Sequence, residues 1–204
     1  MLRREAREVK KRARSGWTPR AARWRKAASI AGCYDWLLHY VARVGVEGGR
    51  MLGNDIESMD GWMGAALDEA RAAAATGEVP VGAVVVRGSE ILGRGHNRRE
   101  ERGDPVAHAE LEAIARARRF VEGWRFEGCT MYVTLEPCAM CAGALVNARF
   151  EKLVFATADP KAGFCGSLGD LVRDPRLNHQ LEVVAGVRRA ESSRLLKSFF
   201  AGLR

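Results

Sequence analysis

The sequence predicts an α/β layered domain with a mixed sheet of about five strands over residues 59–204. Two observations carry this. From Met59 onward, tracts with helical periodicity alternate with short β-branched runs, and helices interposed between strands require crossover connections. The chain of 204 residues, 47% hydrophobic, is also long enough for one domain of about 150 residues with its own core plus an additional segment.

The elements follow in order. MDGWMGAALDEARAAAA (59–75) is rich in helix formers and stops at Thr76-Gly77. VPVGAVVVRGSEILGRGHN (79–97) reads as two strands around Arg87-Gly88-Ser89-Glu90, a hairpin. AHAELEAIARARRF (107–120) places Ala107, Leu111, Ile114 and Ala115 at helical spacing behind Asp104-Pro105. CTMYVTLE (129–136) reads as a strand and PCAMCAGALVNA (137–148) as a helix with proline in its first turn. KLVFATA (152–158) and LEVVAGV (181–187) complete the strands, and RRAESSRLLKSFF (188–200) closes with a helix.

The net charge of +8 is unevenly spread. Residues 1–58 hold 13 Lys/Arg against 6 Asp/Glu, whereas residues 59–204 hold 20 against 19. The basic segment 1–58, ending in the linker-like VEGGRMLGNDIESMD, is therefore set apart as an extension, with YDWLLHYVARVGV as one short amphipathic element. Three readings compete for it: a disordered basic arm that touches nucleic acid, an organellar targeting sequence, and residues upstream of the true start, for which Met51 and Met59 are alternatives. No run of about 18 uncharged apolar residues occurs, which excludes a membrane-spanning helix. The five cysteines (33, 129, 138, 141, 165) lack the spacing of a secreted disulfide framework. A reducing compartment, the cytoplasm, is expected.

Cys138 and Cys141 pose the functional question, because Pro-Cys-x-x-Cys at a helix start suits three chemistries. A redox pair uses a helix N-terminus to lower a thiol pKa. A structural zinc knot needs two further ligands at short spacing, and no second CxxC or HxxxH is present. A three-ligand catalytic zinc site needs one more donor, and His108 in DPVAHAE stands at the start of another helix. Two thiolates and an imidazole leave a tetrahedral metal one open position, and Glu110, two residues beyond His108, suits acid/base work there. Singly, the histidine reads as a helix cap, Glu110 as a first-turn acid favoured by the dipole, and Cys33, Cys129 and Cys165 as small core residues. The joint occurrence of His-x-Glu and a Pro-Cys-x-x-Cys whose first cysteine, Cys138, lies 28 residues after Glu110 favours catalytic zinc.

H-x-E followed by P-C-x-x-C resembles the zinc nucleobase and nucleoside deaminases. EVPVGAVVV, GHNRREERGDPVAHAE, MYVTLEPCAMCAGALVNAR, FATADPKAGFCGSL, LNHQLEV and LLKSFF extend the resemblance to the bacterial tRNA-specific adenosine deaminases over residues 59–204. That resemblance implies a three-layer α-β-α cytidine deaminase-like fold and hydrolytic conversion of the wobble adenosine of tRNA to inosine. It implies one Zn2+ per subunit on His108, Cys138 and Cys141, with Glu110 as the proton shuttle. It makes Asn97 a residue that holds the flipped base, and Asp159 and Lys161 part of a loop beside the anticodon. An arginine tRNA with an ACG anticodon is the family's usual substrate, and the family acts as a homodimer through a helix similar to CAMCAGALVNARF.

Alternatives remain within and beyond that family. Deaminases of free guanine, cytosine or a riboflavin precursor share the zinc chemistry. Residues 187–204 tilt the choice toward RNA, since Arg188, Arg189, Arg194, Lys197 and Arg204 face only Glu191, and Phe199 offers a base-stacking surface. Phe199 and Phe200 are adjacent, so at least one is expected in the core. Outside the enzymes, an RNA-binding protein with structural zinc is the competing class, and Glu110 argues against it. Asn97 alone reads as a turn residue, Asp159 to Lys161 as a solvated loop, and the basic terminal residues as a solvated face. Cys165 stands where family members often have small residues, and NRREERG is unusually charged.

Overall fold

A computed structural model describes residues 53–203, with side chains from Ser58 onward. The basic arm, its amphipathic YDWLLHYVARVGV tract, Cys33 and Arg204 lie outside the described residues. The first helix, α1 (Gly53–Ala75), begins six residues ahead of Met59. The tract read as a linker up to Asp60 thus ends in helix, and no proline in it interrupts the backbone. Met59, Met63, Ala66, Leu67, Ala70 and Ala73 recur every three or four residues and are buried, so they form the face turned inward. At its end, Gly77 takes a left-handed φ of 81° and the Glu78 N–H bonds back to Ala73 O at 3.0 Å, which stops the helix.

The hairpin forms as the sequence predicts. Strands β1 (Gly82–Arg87) and β2 (Glu90–His96) pair antiparallel across Gly88-Ser89, and Gly88 has φ 59°. After β2 come a single helical turn, α2 (Arg99–Arg102), then α3 (Ala109–Ala117) with a 3-10 extension to Phe120. Strand β3 (Cys129–Leu135), helix α4 (Ala139–Asn147), strand β4 (Lys152–Thr157), strand β5 (Glu182–Ala185) and helix α5 (Arg189–Gly202) complete the domain. The five strands form one mixed sheet in the order β2-β1-β3-β4-β5. β1 is antiparallel to both β2 and β3, and β3, β4 and β5 run parallel. β2 and β3 therefore point the same way, and the helices that follow each of them start at one edge of the sheet.

Two apolar clusters fill the three layers. One packs α3 and α4 against the sheet through Ala113, Leu145, Met131, Val133 and Phe155, and the other packs α1 through Met63, Leu67, Val84 and Val154. Helix α3 meets β2 through the stripe Ala109, Ala113 and Ala117, all fully buried, with Leu111 and Ile114 at its margin and Ala115 exposed. The glycines of β2 explain that choice. A Cβ on Gly95 would lie 2.3 Å from Ala109 O, and one on Gly93 2.3 Å from Ala113 O, so the helix backbone rests directly on the strand.

Phe126 and Phe150 stack at 4.8 Å with their planes 11° apart beneath α4. Phe150 is fully buried. Phe150→Ala is expected to cost about 3–5 kcal/mol, from lost transfer energy and the cavity left behind. Chemical denaturation of the parent and the variant measures it, and a loss under about 1 kcal/mol would show that the neighbouring chain collapses into the gap.

Candidate metal centre

Cys138 and His108 occupy equivalent places, each the residue just ahead of its helix with an extended backbone (φ −71°, ψ 173° and φ −79°, ψ 152°). Pro137 stands one residue before Cys138, outside the first turn where the sequence reading put it. Neither side chain caps its helix. The His108 ring turns instead to the sulfurs, its Nδ1 lying 3.7 Å from Cys138 Sγ and 3.6 Å from Cys141 Sγ. The three ligand atoms lie within 4.8 Å of one another.

That spacing suits zinc. Bond lengths of about 2.3 Å to sulfur and 2.0 Å to nitrogen set tetrahedral ligand atoms about 3.5–3.8 Å apart. Among the described residues, His108, Cys138 and Cys141 are the one such group of histidine, cysteine or carboxylate donors. On a tetrahedral metal they would supply three of the four ligands.

The electrostatics of the group favour a thiolate at Cys138. Hydrogen bonds from Cys141 and His108 draw the Cys138 thiol down to about 3, against the opposing cost of its burial. Cys141, which donates to that sulfur and is itself buried, is pushed up. The hydrogen bond to Cys138 raises His108. Two helix N-termini add positive potential beside the thiolate. Glu110, in the first turn of α3 and 4% exposed, has its carboxyl raised by burial, with His108 pulling the other way. A carboxyl raised in this way holds a proton more readily than an exposed one, which suits a group that must both accept and return it.

The remaining candidate residues divide into near and far. Asn97 is 7% exposed, and its neighbour Arg98 bonds through N–H to Ala107 O at 3.0 Å, next to His108. Its Nδ2 donates to Glu78 Oε2 at 2.9 Å, while Glu78 Oε1 accepts the Glu101 N–H at 2.8 Å. Asp159 Oδ1 accepts the N–H of Lys161 at 2.9 Å and of Ala162 at 3.3 Å, forming a tight turn that leaves Lys161 exposed. This loop is fastened to the start of α4, where Gly163 pairs with Cys138 and the Phe164 N–H bonds to Pro137 O at 2.9 Å.

Arg194 is exposed on α5, and Phe199 lines an open pocket together with Ala74, Leu195 and Leu203 at the end of α1. Neither phenylalanine is a core residue. Phe199 is half-buried and Phe200 is 49% exposed, the two meeting edge to face at 5.5 Å, because this end of α5 lies at the surface. Cys129 and Cys165 are fully buried, and burial raises both thiols, so Cys165 fills a small space in the loop. The charged NRREERG tract becomes α2, with Arg98 bonded to Glu101 and Arg102 paired with Glu112 at 2.6 Å.

Two buried carboxylates, Glu78 and Glu136, escaped the sequence reading. Glu136 carried a detectable signal, an acid between an apolar strand and Pro137, where nothing local balances its charge. Glu78 stands among turn residues and looks like a solvated one.

The model of the MafB19-like deaminase family matches residues 57–204. The tRNA-specific adenosine deaminase of Bacillus subtilis (strain 168) is 50% identical over 143 residues, 70% of this chain and 89% of that protein. That of Aquifex aeolicus (strain VF5) is 46% identical over 139 residues, 68% of this chain and 91% of that protein. A solved structure from work on A-to-I editing by tRNA:A34 deaminases at the wobble position superposes with a TM-score of 0.64 at 39% identity, covering 67% of this chain and 99% of that one. The mixed five-stranded sheet, the paired helix starts and these relatives agree: the chain belongs to the family of the tRNA-specific adenosine deaminases.

Proposed function

We propose that this chain is a hydrolase that deaminates the wobble adenosine of a tRNA anticodon to inosine, consuming water and releasing ammonia. The observation that carries the proposal is the His108, Cys138 and Cys141 group beside buried Glu110, in a chain 50% identical over 143 residues to a tRNA-specific adenosine deaminase. His108, Cys138 and Cys141 would hold one Zn2+, which when bound supplies a Lewis acid that makes water acidic enough to yield a nucleophile at neutral pH. Glu110 takes the proton that water gives up as it adds to C6 of the purine. It passes that proton to the ring nitrogen, then takes the second one from the new C6 hydroxyl as the carbonyl forms and hands it to the departing amine, which leaves as ammonia, so one carboxyl serves in turn as base and acid. An unpaired anticodon base costs little to extrude, which suits a site at a sheet edge.

Asn97, held by Glu78, orients the base. Asp159 and Lys161 form the rim toward the anticodon, and Arg194 and Phe199 extend the RNA surface along α5. The active form is a homodimer joined through α4, working in the cytoplasm on an arginine tRNA with an ACG anticodon. No helix among the described residues is long and apolar enough to cross a membrane.

The test uses the full chain, a synthetic anticodon stem-loop with a wobble adenosine, and free guanine, cytosine and adenosine in parallel. Inosine is expected in the stem-loop with little turnover of the free compounds. Turnover of a free base without RNA conversion would overturn the tRNA assignment. Removing the metal with a chelator is expected to abolish activity, and added Zn2+ to restore it. Activity unaffected by a chelator that strips the bound metal would remove the three-ligand reading.

A further inference from the structure

Glu136 is a carboxylate 3% exposed, and every hydrogen bond its side chain makes is with the loop that follows β4. Its Oε1 accepts the N–H of Cys165 at 3.0 Å and of Ser167 at 3.0 Å. Its Oε2 accepts the N–H of Asp159 at 2.9 Å and the Ser167 hydroxyl. No Lys or Arg side chain pairs with it among the described ion pairs, so the buried charge is balanced by N–H and O–H dipoles alone. Space is used as closely as charge. A Cβ on Gly163 would lie 2.4 Å from the Glu136 carboxyl, so the loop can wrap the acid only with glycine there.

The two oxygens hold opposite ends of one segment. Oε2 fixes Asp159, whose own carboxylate sets the turn that presents Lys161, and Oε1 fixes the return of the chain at Cys165 and Ser167. The same segment is bonded at Cys138 and Pro137. From this we infer that Glu136 is a positioning residue for substrate recognition. It holds the Asp159–Ser167 loop as a preformed rim, in register with the metal-ligating cysteine two residues away, so RNA meets a surface that need not be ordered on binding. The inference rests on the proposal that this loop faces the substrate. It assigns Glu136 no proton transfer and no metal bond.

Glu136→Gln is the informative change. The amide keeps one oxygen for Cys165 and Ser167 but turns an NH2 toward the Asp159 N–H, so donor faces donor at the end that sets Lys161. In full-length protein, KM for the anticodon stem-loop is expected to rise about tenfold with kcat within about twofold, as lost preorganisation rather than lost chemistry requires. Metal content stays at the parent level, and amide exchange quickens across 159–167. Ser167→Ala, which removes one hydroxyl from the same carboxylate, gives a smaller change in the same direction and serves if the glutamine variant does not fold. Lys161→Ala is measured beside them. If Lys161→Ala raises KM and neither Glu136→Gln nor Ser167→Ala does, the positioning role is overturned. It is equally overturned if kcat and metal content fall together with KM unmoved, since Glu136 would then support Cys138 rather than the rim. If Lys161→Ala leaves KM unchanged too, the substrate-facing reading of the loop fails and the inference with it.

Discussion

Glu110→Gln is expected to lower inosine formation by about 10²–10⁴-fold or more while leaving bound metal and folding intact. Glutamine matches the shape of the acid but cannot take a proton from water or return one to the purine ring nitrogen. The side chain is 4% exposed and its carboxyl is raised by burial, so the fold gains little from a charge there. Stability should therefore hold or rise slightly. KM should change little, because the lost interaction belongs to the transition state. Single-turnover conversion of an anticodon stem-loop, with metal analysis of the same sample, measures both sides. Turnover within about tenfold of the parent would remove Glu110 from the mechanism.

Gly95→Ala is expected to damage fold and site together. The new Cβ would meet Ala109 O at 2.3 Å and Ala113 N at 2.4 Å, and both are backbone atoms of α3 that no side-chain rotation can move aside. Either β2 shifts out of register with β1 or α3 lifts from the sheet. The first breaks edge-strand pairing, and the second moves His108 and Glu110, which sit at the start of α3. Overpacking of this kind costs about 3 kcal/mol or more, and a displacement of about 1 Å at a ligand is enough to impair the site. Urea unfolding and metal stoichiometry check it. Gly143→Ala is the contrast, since its Cβ would meet only Leu171 Cδ2 at 3.6 Å, an ordinary contact. Equal stability of the two variants would mean that α3 is free to ride up over β2.

Much of the architecture is legible locally. The hairpin at Gly88-Ser89, the helix behind His108 and the Pro-Cys start of α4 are set by residues within a few positions of one another, through turn chemistry, periodicity and helix starts. Errors arose where the answer was nonlocal. The apolar spacing of Leu111 and Ile114 suggested one face of α3, yet the helix turns its alanines inward because Gly93 and Gly95, more than ten residues earlier, allow backbone contact. The surface position of Phe199 and Phe200 likewise depends on where the end of α5 lies in the folded chain, which adjacent residues do not specify.

The sequence by itself determined the donor set, a histidine and two cysteines with an acid two residues from the histidine, and the order of strands and helices that carries them. Residue types dictate ligand softness and proton chemistry wherever they are placed, so that much needed no coordinates. Only the tertiary structure decided that β2 and β3 run the same way, which starts α3 and α4 at one edge and closes His108 Nδ1 to within 3.7 Å of both sulfurs. It also decided that Glu78 and Glu136 are buried braces rather than solvated acids. Their partners stand 19 to 31 residues away, at Asn97, Glu101, Asp159, Cys165 and Ser167, and a carboxylate's burial depends on donors that only chain folding brings to it.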